Sequence, residues 1–320
     1  MKPHGGNVWR LAAELGVAVD SIIDLSTCVA DHYPPEVDEV MREANLIAKL
    51  PEPYSASFST LYSQYKGIPA DNVLLTAGTT EAISALCELF SGEICNITPP
   101  TYSDYEHYAV LAAMKIYKII SENTSIAFIC NPNNPTGELR SNEEIIELAA
   151  TYPSCVFVVD ESYMPFVDGQ ESILKYGVIN NIVVLRSYSK VFGVPGLRIG
   201  YVVASEPIIA AIRARLSPWS VGTMAQKIAE VFVKMNETPI GGLKLEERKS
   251  FFKALSNIDG VKPLPSRTQF CLCMLSGVTS SDFAQRYRKR GILIRDCSNI
   301  SRLGSSYVRI SMRDGWEKLF

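Results

Sequence analysis

The chain has 320 residues, with 31 Lys and Arg against 34 Asp and Glu and a formal net charge of −3. That length buries an ample core and suggests two domains, and the charge leaves no basic footprint for nucleic acid. No apolar run is long enough to span a bilayer, and the N-terminus lacks the charged-then-apolar pattern of a signal peptide, so a soluble cytoplasmic protein is expected.

Taken in chain order, apolar runs predict strands at Val73–Thr76, Ile94–Thr98, Lys115–Ile119, Ser125–Cys130, Val156–Asp160, Ile182–Arg186 and Ile199–Ala204. Between them lie helical stretches, among them Thr80–Phe90, Tyr105–Ala113 and Asn142–Ala150. This alternation argues for an α/β/α sandwich around a mostly parallel sheet. Helices continue from Glu206 to Met235, with a break at Pro218-Trp219-Ser220. A helix over Lys244–Leu255 and strands near Gln269–Leu275, Ile292–Arg295 and Tyr307–Ser311 then read as a smaller α+β unit. The expected division is a large domain over 45–237, with a small domain made of 1–44 and 238–320.

The run Arg186-Ser187-Tyr188-Ser189-Lys190 continues through Gly193-Val194-Pro195-Gly196 to Arg198. A lysine amine forms an imine with an aldehyde most readily near other cations or in an apolar pocket. The Ser187 hydroxyl and the Arg198 guanidinium suit a phosphate dianion. An aldehyde and a phosphate on one small molecule describe pyridoxal 5′-phosphate (PLP). The plain alternative is a solvated lysine in a polar loop. Asp160 closes a run that reads as a strand buried on both faces, at the end where open α/β sheets bind ligands. An acid there holds a pyridinium nitrogen protonated, with Tyr163 within reach of the ring oxygen; the plain alternative is a helix N-cap. Asn131 to Gly137, with two prolines, forms a tight loop at another strand end. Gly78-Thr79-Thr80 opens a helix, either as a phosphate cradle or as an ordinary cap.

In order and spacing, Gly78-Thr79-Thr80-Glu81, Pro100-Thr101-Tyr102, Asn131 to Gly137, Asp160 to Tyr163, Ser187 to Lys190 and Arg198 resemble the fold-type I PLP enzymes of the aspartate aminotransferase superfamily. The resemblance covers nearly the whole chain. It implies that Lys190 binds the cofactor aldehyde and later moves protons, and that Asp160 pairs with the pyridine nitrogen. Asn134 and Tyr163 would hold the ring oxygen, and Tyr102 would stack on the ring. Gly78, Thr79, Thr80, Ser187, Ser189 and Arg198 would surround the rest of the cofactor, its phosphate above all.

The opening His4-Gly5-Gly6-Asn7 and the segment Ile294-Arg295-Asp296-Cys297-Ser298-Asn299 resemble the L-threonine O-3-phosphate decarboxylases of cobalamin biosynthesis, themselves similar to histidinol-phosphate aminotransferases. This second resemblance implies that Arg309 receives the substrate α-carboxylate, and that Arg295 and His4 to Asn7 meet a substrate phosphate. The expected reaction is decarboxylation of threonine phosphate or serine phosphate to the amino-alcohol phosphate, with transamination as the alternative. A homodimer is implied as well. The plain alternative for Arg295 and Arg309 is ion pairing with Asp296 and Asp314. Two segments depart from the pattern. Thr27 to Tyr33 replaces an Asn-rich stretch that touches substrate in relatives. Leu50 stands where relatives place a tyrosine that reaches the neighbouring subunit, and Tyr54 is the nearest substitute. No metal site is expected: Cys271 and Cys273 alternate along a strand without a histidine at zinc spacing.

Overall fold

The structure, a computed structural model, describes residues 5–169 and 171–320; His4 lies outside the described residues. The chain begins with α1 (Val8–Leu15), β1 (Ile23–Asp24), α2 (Glu36–Met41) and α3 (Ala56–Lys66). Alternation follows through β2 (Val73–Thr76), α4 (Thr79–Leu89), β3 (Ile94–Ile97), α5 (Ser103–Leu111), β4 (Lys115–Tyr117), β5 (Ile126–Cys130), α6 (Asn142–Thr151) and β6 (Val156–Asp160). Then come β7 (Ile182–Arg186), the single turn α7 (Tyr188–Val191), β8 (Gly200–Val203), α8 (Glu206–Arg213) and α9 (Thr223–Val233). The last part holds α10 (Leu245–Leu255), β9 (Val261–Pro263), β10 (Phe270–Leu275), α11 (Ser280–Arg288), β11 (Ile292–Leu293), β12 (Arg295–Asp296) and β13 (Tyr307–Ser311).

Among the described residues, β2 to β8 form a seven-stranded sheet in the order β2-β8-β7-β6-β5-β3-β4. Only β8 runs against its neighbours, so β2 to β7 all point the same way. Their side chains alternate between two cores, as the period of two requires. Val73, Leu75, Phe157, Val159, Val184 and Val203 pack with α3, α6 and α9. Leu74, Val158, Val183, Leu185 and Val202 pack with α4, α5 and α8 on the other face. The fold is α/β, three layers deep around a mostly parallel sheet. No helix among the described residues is long and apolar enough to cross a membrane.

A four-stranded sheet, β12-β13-β10-β9, packs with α10 and α11 over a third core that includes Phe251, Cys273, Phe283 and Ile310. The single strand expected over 292–295 is two. Ile292 and Leu293 pair in parallel with β1, whereas Arg295 and Asp296 pair antiparallel with β13. Each half is claimed by a different partner, and the chain changes sheets at Ile294. A buried ion network joins the segment after α9 to the large sheet. Arg186 contacts Glu161 at 2.9 Å and Glu237 at 2.5 Å, and the Tyr201 hydroxyl donates to Glu237 at 2.6 Å.

Candidate active site

The carboxyl ends of β2, β5, β6 and β7 converge on a cavity lined by Gly78, Thr79, Thr80, Tyr102, Asn134, Asp160, Tyr163, Ser187, Lys190 and Arg198, together with Cys130 and Ser162. Open α/β sheets bind ligands at this place. At one end, α4 begins without any side-chain cap, so its first backbone N–H groups stay open to an anion. Gly78 has φ +77°, and a Cβ there would lie 2.6 Å from Arg198 Nη2, so the missing side chain is the space the guanidinium occupies. Gly200 serves the same junction from below: a Cβ on it would fall 2.6 Å from the Thr79 nitrogen. Ser187, buried at the start of α7, makes no capping bond with its hydroxyl.

At the other end, Asp160 is 4 % exposed. Its Oδ2 accepts from the Tyr105 hydroxyl at 2.8 Å and its Oδ1 from the Ser162 N–H at 3.0 Å. The carboxylate closes its own turn, as a cap does, and still lines the cavity. Tyr105 is a participant the sequence reading missed; its signal is its place three residues after Tyr102, one turn along the same helix. Tyr102 stands edge-on to it at 5.5 Å and donates its hydroxyl to Asp104 at 2.7 Å. Lys190 Nζ lies 5.9 Å from the Tyr163 ring centre, and Tyr163 packs edge-on against Phe270 at 5.1 Å. Burial, reinforced by Arg309 and Arg198, lowers the Lys190 pKa from its ordinary value.

Ser189 faces the loop that follows it. Its hydroxyl accepts from the Ile199 N–H at 2.8 Å and donates to the Ile199 carbonyl at 3.1 Å. It pins the loop that carries Arg198 and does not line the cavity.

The two arginines of the smaller sheet lie inside the molecule. Arg295 and Arg309 are Cα partners across β12 and β13, and they are 7 % and 6 % exposed. Arg309 donates from Nη1 to Asn134 Oδ1 at 2.5 Å and from Nη2 to the Ser26 carbonyl at 2.6 Å, and its buried Nε has no partner among the described residues. Arg295 donates to the Asp296 carbonyl at 2.6 Å and to Asn299 at 2.8 Å. Surface pairing with the two aspartates is therefore overturned: the Asp296 carboxylate accepts from Ser280 and Ser298, and that of Asp314 faces His32 and Lys244. A second, more open cavity unites Arg295 with Gly5, Gly6, Asn7, Arg10, Ser26, Arg288 and Asn299. The Gly6 N–H donates to Ser26 Oγ at 2.8 Å, and a Cβ on Gly5 would meet the Ser26 carbonyl at 2.4 Å. Ser26, unnoticed in the sequence, thus joins the N-terminal segment to Arg309. Asn7 spends its side-chain oxygen on capping α1.

The divergent segment lies against the lysine. The Ala30 N–H donates to the Lys190 carbonyl at 2.9 Å, and Cys28 packs with Tyr163 and Phe270. Tyr54 packs inside its own chain, 5.6 Å beneath the Arg213 guanidinium, while Leu50 is 77 % exposed.

A family model, aminotransferase class I and II, matches residues 36–317. The chain belongs to this family. Members of the aminotransferase class I and II family are PLP-dependent enzymes, and so is this chain. It is 32 % identical to a histidinol-phosphate aminotransferase of Thermoanaerobacter sp. over 88 % of this chain and 87 % of that one. It is 26 % identical to the histidinol-phosphate aminotransferase of Methanocaldococcus jannaschii, over 98 % and 91 %. Among solved structures, the L-threonine-O-3-phosphate decarboxylase from Porphyromonas gingivalis superposes with a TM-score of 0.84 at 28 % identity, covering 93 % of this chain and 96 % of that chain.

Proposed function

We propose that this PLP enzyme decarboxylates an amino acid carrying a phosphate, L-threonine O-3-phosphate or L-serine O-phosphate, to the amino-alcohol phosphate. One observation carries the reading: Arg295 and Arg309 are buried directly across from each other. Like charges so placed repel, and a substrate with a carboxylate at one end and a phosphate at the other answers both. Planar guanidiniums suit both groups.

The residues of the first cavity fit PLP, as the Gly78 hollow filled by Arg198 and the uncapped start of α4 indicate. Thr79, Thr80, Ser187 and Arg198 would hold its phosphate. Asp160, fixed by Tyr105 and Ser162, would take the ring nitrogen, and Tyr102 would cover one face. Asn134 gives its oxygen to Arg309, which leaves its NH₂ for the ring oxygen beside Tyr163. Bound PLP supplies an aldehyde and a protonated ring that draws electrons from the α-carbon of an attached amino acid. Lys190, with its lowered pKa, would hold the aldehyde and would serve as the group that moves a proton. Arg309 and Arg295 would anchor the two ends of the substrate and so would set which bond at its α-carbon is labile.

The relatives named histidinol-phosphate aminotransferase favour a second reading, transamination. Mass spectrometry of the PLP-loaded protein with O-phosphothreonine or O-phosphoserine, and no 2-oxo acid, separates the two. Catalytic release of 1-aminopropan-2-yl phosphate or ethanolamine phosphate supports the decarboxylase. Stoichiometric conversion of PLP to its amino form, without those products, supports the aminotransferase.

The division into 45–237 and 1–44 with 238–320 is likewise our proposal, supported by the separate sheets. So is a homodimer, supported by the exposed Ile47, Leu50 and Trp219 near the Tyr54 turn. Sedimentation at micromolar concentration should give twice the chain mass; a fully active monomer would refute it.

A further inference from the structure

The second cavity, the one that Arg295 enters, is longer than a phosphate requires. Ser281, Ala284, Gln285 and Arg288 line it from α11, and their spacing sets them on one face of that helix. Ser280, at the start of α11, donates to Asp296 at 2.7 Å, so the helix begins beside β12 and ends at Arg288. The two turns between span roughly 10 Å. The cavity measures ≈ 590 Å³, against roughly 10–15 Å³ for one water. A phosphate beside Arg295 leaves most of it unfilled.

Both ends carry positive charge. At the inner end, Arg295 is 7 % exposed and donates to the Asp296 carbonyl and the Asn299 side-chain oxygen, neither of them an anion. A buried cation without a counter-charge is costly. At the outer end, Glu14 accepts from Arg288 of α11 and from Arg10 of α1, the latter at 2.8 Å. Each guanidinium gives one N–H to Glu14 and, among the described residues, none to any other group; an arginine has five to give. One carboxylate thus serves two arginines. The other acid of the lining, Asp296, is occupied by Ser280 and Ser298, and the lining as a whole stays net positive. Between the two ends stand Ser281 and Gln285, which can donate or accept.

We propose that Arg288 and Arg10 form a second anion subsite, so that this cavity takes a ligand with an anionic group at each end, one at Arg295 and one at Arg288. The inference rests on the reading of Arg295 as a phosphate site and extends it. The matching substrate class is an amino acid whose phosphate is joined to a further acidic group; the simple phosphate monoesters fill only the inner end.

Calorimetric titration of the PLP-loaded protein with hexylphosphonate and with hexane-1,6-bisphosphonate, which differ only in the far anion, tests this. Wild type should bind the bisphosphonate at least tenfold more tightly, by a margin that shrinks with added salt. Replacing both outer arginines, Arg288→Gln with Arg10→Gln, should collapse the margin and leave hexylphosphonate binding unchanged. Arg295→Ala should weaken both ligands. Glu14→Gln breaks the tie between α1 and α11 but removes a negative charge, so it should strengthen bisphosphonate binding. A loss there as large as in the double variant would mean that the arginines only hold the helices together, and would overturn the proposal. Equal affinities in wild type, or a margin that survives the double variant, overturn it too, while hexylphosphonate binding that depends on Arg295 would keep the phosphate site. If neither ligand binds wild type, both readings fall.

Discussion

Lys190 is the residue where sequence and environment meet most directly. Burial, with Arg309 and Arg198 adding to it, lowers its pKa from the ordinary 10.5. In the cofactor-free protein the folded state then binds this proton less readily than the unfolded chain. The resulting destabilisation is fully present below the lowered pKa, shrinks as pH rises, and is gone above 10.5. Cofactor-free Lys190→Met should therefore be more stable than wild type at neutral pH, with the gap closing toward pH 10.5; urea unfolding over that range measures it. A gap that ignores pH would restore the solvated loop lysine. Arg295 offers a second test at this scale. Losing charge-assisted hydrogen bonds worth about 1.5–3 kcal/mol should raise KM for the phosphorylated amino acid about 10- to 100-fold in Arg295→Ala. KM for the unphosphorylated amino acid should barely move; steady-state kinetics on both decide it.

Elements set the cofactor cradle through what they lack. The turn from β2 into α4 needs Gly78 because its φ is +77° and because Arg198 fills the place of a Cβ. Gly78→Ala should lower stability by about 1–3 kcal/mol and loosen PLP at least tenfold, as equilibrium dialysis would show. The motif around Gly78 was plain in the sequence, as were the strands ending at Thr76, Cys130, Asp160 and Arg186, because uninterrupted β-branched runs read as buried strands. The two halves of 292–296 were not, since two-residue strands carry no periodicity and exist only through β1 and β13. The direction of Ser189 was not legible either. A hydroxyl inside a motif says nothing of the direction in which the turn aims it, and here that is toward Ile199.

Over the whole molecule, the tie between the segment after α9 and the large sheet rests on Arg186, shared by Glu161 and Glu237. All three are largely buried, and breaking such a network leaves a charge uncompensated. Glu237→Gln should lower the free energy of unfolding by about 3 kcal/mol in chemical denaturation, with PLP retention affected less than in Gly78→Ala. Nothing in the sequence pairs these residues, because Glu237 follows a helix and looks like an ordinary surface acid.

The sequence by itself determined the layered α/β fold, the cofactor and the ring of residues at the strand ends. Hydrophobic period and short-range motifs carry that information, and each of those residues lies within a few positions of its strand. Only the tertiary structure decided the rest. It set Arg295 beside Arg309, brought Ser26 under both the N-terminal segment and Arg309, and gave Tyr105 to Asp160. It also enclosed the Gln269 side-chain amide with no partner among the described residues. Each is a meeting of distant segments, fixed by packing, and local sequence holds no record of which partner the fold will supply.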